Sequence, residues 1–207
     1  MLLDKQLLSN MFVVVANLWE EHVGQLSEID SRFGDGDHGV TIERIARTTR
    51  EHVLNWGDKS IKLFIEQLGD SILGISGGSA GPLYGTLISG FAQPLSDEKA
   101  IDGVMLKKMF QGCLDELSSI TKARVNDKTM MDVVIPAVEA ARNAPDCIPD
   151  ILCEASKAAQ QGMEHTKGIA SKFGRARNYG DETIGTPDAG AVSSSLLFRG
   201  LFEGLVI

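Results

Sequence analysis

Residues 30–39 read Asp-Ser-Arg-Phe-Gly-Asp-Gly-Asp-His-Gly and lie between two segments whose apolar residues recur at helical spacing. The stretch contains three carboxylates, one histidine and three glycines. Carboxylates this close repel one another, and an unpaired buried carboxylate is strongly disfavoured. A hard cation such as Mg²⁺ is bound by a few carboxylates together with substrate phosphates. The stretch therefore predicts a metal-dependent phosphoryl-transfer site, with a cation among Asp30, Asp35 and Asp37.

The same residues suggest three other interpretations. A solvated turn is the plainest, because Asp and Gly favour turns for backbone reasons alone. An EF-hand is excluded by the spacing of the acids. Gly34, Gly36 and Gly39 fit the G-x-G-x-x-G dinucleotide pattern. However, no strand precedes them, and Asp35 and Asp37 would repel a pyrophosphate unless a cation lay between.

The residues that follow open a predicted helix. Gly39, Val40 and Thr41 would form its first turn, whose N-terminal amides favour an anion. His38 either contacts a phosphate or is a helix-start histidine bonded to a neighbouring carboxylate. Both interpretations of His38 stay open at this point.

Helical spacing of apolar residues extends along the whole chain. It predicts eight helices, at residues 7–26, 40–54, 61–72, 83–92, 106–120, 130–142, 151–165 and 188–205. Pro136 should kink or distort the sixth helix. Short connections favour antiparallel neighbours, so we predict an all-α fold of eight antiparallel helices in an up-and-down bundle or barrel, within one domain at 1–207. The alternative is an α/β fold in which residues 13–15 or 133–135 form a strand.

Composition and charge restrict the class of protein. The 207 residues are 43% hydrophobic and 23% charged, which is ordinary for a soluble globular protein. The net charge of -8 argues against a nucleic-acid partner, which needs basic patches, but not against a nucleotide neutralised by metal. Three cysteines, an odd number, fit reduced thiols. The lack of a signal peptide or of an apolar run of about 18 residues predicts a cytoplasmic protein that does not enter the membrane.

A second glycine-rich stretch, residues 74–85, reads Gly-Ile-Ser-Gly-Gly-Ser-Ala-Gly-Pro-Leu-Tyr-Gly. It is not a Walker A loop, because it lacks Gly-Lys-Ser/Thr. Successive small residues let backbone amides approach a ligand and form an anion-binding concavity. A helix-breaking connection or close helix packing is the alternative.

A third stretch, residues 126–132, reads Asn-Asp-Lys-Thr-Met-Met-Asp. Asp127 or Thr129 is a sufficient helix cap. Met130 could provide a soft apolar contact for a planar base.

A fourth stretch, residues 174–182, carries Arg175 and Arg177 on a glycine-bearing loop. Two arginines there would suit a phosphate clamp or the stabilisation of transition-state charge. A solvated loop is the alternative, although loops of this length are more often functional or disordered.

Together, and in this order, the four stretches resemble the nucleotide-binding L subunit of dihydroxyacetone kinases, which also occurs as the C-terminal domain of single-chain kinases. The family pattern Asp-x3-Gly-Asp-Gly/Ala-Asp-His-Gly matches residues 30–39, and Gly-Gly-Ala-Ser-Gly-Pro-Leu-Tyr/Phe-Gly matches residues 77–85. Gly-Asp-Lys-Thr-Met matches residues 126–130. Gly-Arg-Ala-Ser and a closing Asp-Pro-Gly-Ala match residues 174–176 and 188–191. The resemblance covers nearly the whole chain.

The resemblance implies an eight-helix barrel that binds ADP or ATP through Mg²⁺ at one rim. The implied metal ligands are Asp30, Asp35 and Asp37, and Arg175 is the implied catalytic residue, alone or with Arg177. The residues implied to lie against the nucleotide are His38, Gly39, Val40, Thr41, Gly77, Gly78, Ser79, Ala80, Thr121, Met130, Arg175, Asp188, Ala189 and Gly190.

The resemblance also implies a kinase that acts with a partner. The ketose would be bound by a separate K subunit that faces the nucleotide site, and the partner would supply any catalytic base. Tightly bound ADP would be rephosphorylated by a phosphotransferase-system protein, and the chain could form a homodimer. The alternatives are an ATP-consuming kinase subunit for another short ketose, a non-catalytic nucleotide-binding adaptor, and a metal-dependent phosphohydrolase.

The chain departs from the family pattern at five places, one of which is Thr121, at a position near the base where relatives can have a small residue. Ser79-Ala80 inverts the order of two small residues, Asn126 replaces a glycine, and Ala189 replaces a proline. Arg177-Asn178-Tyr179 replaces Ser-Tyr-Leu and adds a charge to the loop that we expect to meet the partner.

Overall fold

Residues 1–205 are described by the computed structural model. They form nine α-helices: α1 (Lys5–Glu21), α2 (Val23–Ser31), α3 (His38–Leu54), α4 (Ile61–Leu73), α5 (Ala80–Gly90), α6 (Gly103–Ile120), α7 (Met131–Asn143), α8 (Ile148–His165) and α9 (Ala189–Glu203). Two 3-10 helices, Thr166–Gly168 and Ala176–Thr183, lie between α8 and α9. Over these residues the only β pairing is an isolated antiparallel bridge between Leu3 and Ile101. None of the described helices has both the length and the apolar character of a membrane span.

The all-α prediction is confirmed. The alternative with a strand at 13–15 or 133–135 is wrong, because these residues lie inside α1 and α7. The amphipathic period of the longer segments decides the conformation of both triplets. α7 also continues as a helix through Pro136.

Several helix boundaries differ from the sequence prediction. The first predicted helix is divided at His22, whose backbone leaves the helical region (φ -105°, ψ 8°) and whose ring donates to the carbonyl of Leu18 at 2.7 Å. α2 then extends to Ser31, so Asp30 lies in its last turn. α5 begins at Ala80 rather than at residue 83, because a proline is tolerated in the first turn of a helix.

The helices close into a ring. α1 packs against α3 and α9, and the other neighbours follow in chain order from α3 to α9. α2 packs against α3 and α9, so α1 and α2 together take one of the eight positions of the predicted barrel. In such an up-and-down ring, alternate connections lie at the same end. The connections α2–α3, α4–α5, α6–α7 and α8–α9 therefore meet at one end, and they contain the four motif stretches.

Aromatic rings fill the interior of the barrel. Trp56 stacks on Phe64 with the ring centroids 3.6 Å apart and the planes within 5°. Phe110 packs between Phe91 and Phe198, at centroid distances of 5.5 Å and 5.8 Å. Burial of each such ring contributes about 2–3 kcal/mol. This core fixes the helices that present the motif loops.

The contact between α9 and α1 yields a stability prediction. A β-carbon on Gly200 of α9 would lie 2.7 Å from the Cα atom of Val15 in α1, whereas a β-carbon on Gly24 of α2 would meet nothing within 4 Å. Gly200→Ala should lower the free energy of unfolding by about 1–3 kcal/mol through overpacking. The control Gly24→Ala should raise it by at most about 1 kcal/mol. Urea denaturation measures both, and equal effects would contradict the packing described for α1 and α9.

Candidate functional site

The loops at one end of the barrel surround a cavity of about 920 Å³. All four motif-bearing connections contribute to its lining, for example through Asp37, Gly78, Ala123 and Arg175. The volume lies in the upper part of the range for small-molecule and cofactor sites, about 300–1,000 Å³.

The three aspartates of the first motif come together at this cavity. One carboxylate oxygen from each of Asp30, Asp35 and Asp37 lies within 4.8 Å of the other two. A β-carbon on Gly34 would lie 2.9 Å from the main-chain carbonyl oxygen of Asp30, so the turn requires a glycine there. Three carboxylates with this spacing fit a hard divalent cation that prefers oxygen ligands.

The long α8–α9 connection lies against this acidic turn. The guanidinium of Arg175 forms an ion pair with the carboxylate of Asp35. The ring of Tyr179 packs against the ring of Phe33, with centroids 5.3 Å apart. The loop that carries the arginines therefore contacts the acids directly. The resemblance implied that Arg175 and the acids belong to one site, but it did not predict this ion pair.

The glycine-rich α4–α5 loop crosses the start of α3. Gly77 (φ 139°) and Gly78 (φ 53°) have backbone conformations that L side chains rarely adopt. A β-carbon on Gly77 would collide with the hydroxyl of Thr41, and one on Gly78 would lie 3.7 Å from Oδ1 of Asp37. Close helix packing explains another glycine of the stretch, since a β-carbon on Gly85 would lie 2.7 Å from a backbone nitrogen of α4.

Helix N-termini surround the cavity, and most of them are uncapped. α3, α5 and α7 begin here without a side-chain hydrogen bond from their N-cap residues. α9 is the exception, because Asp188 accepts a hydrogen bond from the backbone N–H of Ala191 at 2.7 Å. At the other end of the barrel, Asp4, Ser60 and Asp102 cap α1, α4 and α6, whereas α8 has no side-chain cap. Free N-terminal amides carry partial positive charge and favour an anion beside the acid cluster.

A buried polar network lies beneath the acid cluster. Nε2 of His38 is 2.9 Å from the hydroxyl of Ser193, and the Tyr84 hydroxyl donates to the same oxygen at 2.7 Å. The backbone N–H of His38 donates to Oδ2 of Asp30 at 3.3 Å. Burial lowers the pKa of His38 to about 4, although Asp30 acts in the opposite direction. The imidazole is therefore neutral at neutral pH, and its ring partner is a serine rather than a carboxylate.

The α6–α7 connection is organised by Asp132. Its two carboxylate oxygens accept hydrogen bonds from the backbone N–H groups of Asn126 at 2.6 Å and Thr129 at 2.8 Å. α7 has Met130 as its N-cap residue, and the hydroxyl of Thr129 accepts a hydrogen bond from the backbone N–H of Met131, the first residue of the helix, at 3.1 Å. Of the two predicted caps, Thr129 therefore bonds the start of α7 and Asp127 does not. Asn126 has a left-handed backbone (φ 74°), which explains how asparagine can stand where the family pattern has glycine.

Most of the predicted site residues line the cavity. These are Asp30, Asp35, Asp37, His38, Gly77, Gly78, Ser79, Ala80, Thr121, Met130, Arg175, Asp188, Ala189 and Gly190. Gly39, Val40 and Thr41 do not line it. Gly39 packs against α2, the side chain of Val40 faces solvent, and Thr41 is buried beneath Gly77.

Sequence analysis missed several residues of the lining. Leu73, Ile120 and Phe173 give part of the cavity an apolar surface. Leu73 and Ile120 end α4 and α6, immediately before the motif loops, and that position was the signal that could have revealed them. Lys128 also lines the cavity and is buried, and its acceptors are main-chain carbonyls, which leave no trace in a sequence pattern.

Asp188 gives this site a pH dependence. Desolvation raises the pKa of its carboxyl to about 7, although the hydrogen bond from Ala191 acts in the opposite direction. The folded protein thus holds a proton that the unfolded chain releases near pH 4, so stability should fall as the pH rises from about 4 to 7. Asp188→Asn keeps a capping oxygen and should remove up to about 2 kcal/mol of that fall. Urea denaturation between pH 5 and 8 measures this, and parallel profiles for both proteins would contradict it.

The ring of helices and the lining of its cavity together define an all-helical barrel with an acidic, glycine-rich site at one end. The model of the DAK2 domain family matches residues 32–203, and the chain belongs to that family. The resemblance stated from the motifs is confirmed by this match.

Individual relatives agree with the family assignment. The ADP-binding subunit DhaL of the PEP-dependent dihydroxyacetone kinase of Escherichia coli is 29% identical over 202 residues, 96% of each chain. The L-erythrulose kinase of Pectobacterium atrosepticum is 29% identical over 190 residues, 89% of this chain but 31% of that protein. The dihydroxyacetone kinase of C. freundii, solved with AMP-PNP and Mg²⁺, has a TM-score of 0.71 at 22% identity, over 94% of this chain and 33% of that one. The structural likeness establishes the fold.

Proposed function

We propose that this chain is the nucleotide-binding subunit of a dihydroxyacetone kinase or a closely related ketose kinase. One observation carries the proposal: the acid triad of Asp30, Asp35 and Asp37 adjoins the uncapped N-termini of α3 and α5 in a single cavity. A cation site next to an anion site is the arrangement that a metal-bound nucleotide phosphate needs. In this proposal, residues 1–207 form one nucleotide-binding domain.

Each group of residues that lines the cavity has a role in the proposed function. Asp30, Asp35 and Asp37 would hold Mg²⁺, which would neutralise phosphate charge when bound. The amides of the glycine-rich loop and of the helix N-termini would bind the phosphates of ADP or ATP. The apolar surface that includes Met130 would contact the base. Arg175 would stabilise the charge of the transferred phosphoryl group.

The partner and the phosphoryl donor belong to the proposal as well. The ketose would be bound by a K subunit facing the cavity, and the donor would be a phosphotransferase-system protein that rephosphorylates bound ADP. The relatives in Escherichia coli and Listeria innocua support both points, since they are called ADP-binding subunits of PEP-dependent kinases. The exposed Tyr179 and Ile184 on the α8–α9 loop would lie toward the K subunit.

A second candidate is an ATP-consuming subunit for another short ketose. The relatives that carry the names L-erythrulose kinase and triokinase support it. An assay of the purified chain mixed with a K subunit distinguishes the two candidates, because it shows which phosphoryl donor is used. Phosphorylation of dihydroxyacetone with phosphoenolpyruvate and phosphotransferase proteins, at catalytic ADP, supports the first. Phosphorylation only with stoichiometric ATP supports the second candidate. Tight ADP binding without phosphoryl transfer would support the non-catalytic adaptor.

The metal site makes a direct prediction. Asp37→Asn removes one carboxylate charge while keeping the size of the side chain. We expect Mg²⁺-dependent ADP affinity to fall about 10- to 100-fold, the equivalent of one lost hydrogen bond or ion contact to a charged group. Calorimetric titration with ADP at fixed Mg²⁺ measures the affinity.

The matched control is Asp181→Asn, since Asp181 is exposed on the α8–α9 connection and lies outside the lining. Its affinity should equal that of the wild type. Unchanged affinity in Asp37→Asn, with the same Mg²⁺ dependence as the wild type, would remove the metal role of the triad.

A further inference from the structure

Lys128 carries a buried charge, and 4% of its surface is exposed. Its ammonium donates to four main-chain carbonyls, those of Thr166 at 2.7 Å, Ile169 at 3.1 Å, Thr183 at 2.8 Å and Thr186 at 2.6 Å. Because an ammonium has three N–H donors, four acceptors saturate it. This side chain is fixed in place rather than free to meet a ligand.

The four carbonyls come from two separate places in the chain. Thr166 and Ile169 follow the end of α8, whereas Thr183 and Thr186 precede the start of α9. The ammonium therefore joins the two ends of segment 170–182. We call these two ends, residues 166–169 and 183–186, the base of the segment.

Other hydrogen bonds cross the same base but join uncharged groups. The backbone N–H of Gly185 donates to the carbonyl of Lys167 at 2.7 Å, and that of Ser171 donates to the Thr183 hydroxyl at 2.9 Å. Hydrogen bonds from a charged donor are the stronger kind. Without the ammonium, buried carbonyls would also be left without donors. A second charged donor, Lys172, holds the start of the segment to the α6–α7 connection, through the carbonyl of Asn126 at 2.7 Å and the carboxylate of Asp127 at 3.2 Å. Among the described residues that join the two ends of the segment, Lys128 is the charged one.

The backbone conformation of Lys128 indicates that its side chain is needed at this position. Its φ of 59° lies in the left-handed region, which favours glycine over lysine. Burial lowers the pKa of Lys128, while the carboxylates of Asp188 and Asp132 act in the opposite direction. Both the backbone strain and the burial are unfavourable, and the four carbonyl contacts offset them.

The far side of segment 170–182 meets the acid cluster. Arg175 forms its ion pair with Asp35 there, and Tyr179 packs against Phe33. The side chain of Arg175 is 65% exposed, so little packing holds it. Its position depends on where the base of the segment is held.

We propose that Lys128 is a positioning residue: its ammonium clamps the base of segment 170–182 and so holds Arg175 over the acid cluster. The clamp is a property of the fold, and its consequence for phosphoryl transfer rests on the proposed function.

Hydrogen exchange tests the clamp without any ligand. Lys128→Ala should speed amide exchange within residues 170–182 by about tenfold or more, the equivalent of one lost hydrogen bond to a charged group. Exchange in α1 and α9 should stay as in the wild type. The control is Lys167→Ala, which removes an exposed lysine from the same connection, paired with Glu164 at 2.6 Å, and should leave the segment unchanged. Unchanged exchange in Lys128→Ala, or equal acceleration in every helix, would overturn the clamp.

A double-mutant cycle tests whether the clamp acts through Arg175. The affinity for AMP-PNP with Mg²⁺ is measured for the wild type, Lys128→Ala, Arg175→Ala and the double variant. Each single change should weaken binding about tenfold, and the double variant should bind no more weakly than Arg175→Ala. Additive losses would overturn positioning through Arg175. Absence of binding by the wild type would instead refute the proposed function, while hydrogen exchange would still judge the clamp.

Chemical rescue separates a missing cation from damaged folding. Propylammonium matches the part of the lysine side chain beyond its β-carbon, so it should restore slow exchange in Lys128→Ala, whereas the same concentration of sodium chloride should not. Lys128→Gln, which keeps N–H donors without the charge, is the milder variant and should show a smaller acceleration. If both variants fail to fold even with propylammonium, Lys128 is required for the whole fold and a local positioning role is wrong.

Discussion

Repulsion among the carboxylates of Asp30, Asp35 and Asp37 is the constraint on which the site depends. The barrel holds them within 4.8 Å of one another by placing Asp30 in the last turn of α2 and Asp37 directly before α3. Such an arrangement is unfavourable unless positive charge offsets it. The fold supplies that charge in part through Arg175 and the uncapped N-termini of α3 and α5, and a divalent cation fits the remainder.

The distribution of helix caps follows the same logic. Aspartate or serine side chains satisfy the first amides of α1, α4 and α6, at the end away from the cavity. The helices that begin at the cavity have no side-chain hydrogen bond from the N-cap residue, except α9, and at the far end α8 also lacks one. Free helix amides in a folded protein need water or a ligand as a partner. The uncapped ends are therefore consistent with an anion site rather than with helices that merely end at a surface.

Much of this was predictable from the sequence, and the limits have physical reasons. The helical period identified the fold class, and the acid and glycine motifs identified the loops that line the cavity, because both signals are local. The break at His22 was missed because apolar spacing continues across it. The contacts Arg175–Asp35 and Phe33–Tyr179 join segments far apart in the chain. The carbonyl partners of Lys128 are backbone atoms, which no residue pattern identifies.

The proposed site depends on a cation held by the acid triad next to a nucleotide phosphate. Anomalous diffraction from a crystal grown with Mn²⁺ and ADP tests this most directly. We predict one strong manganese peak within bonding distance of Asp30, Asp35 and Asp37, with the ADP phosphates beside it at the start of α3. Well-ordered ADP elsewhere, with no manganese peak among the three carboxylates, would contradict it.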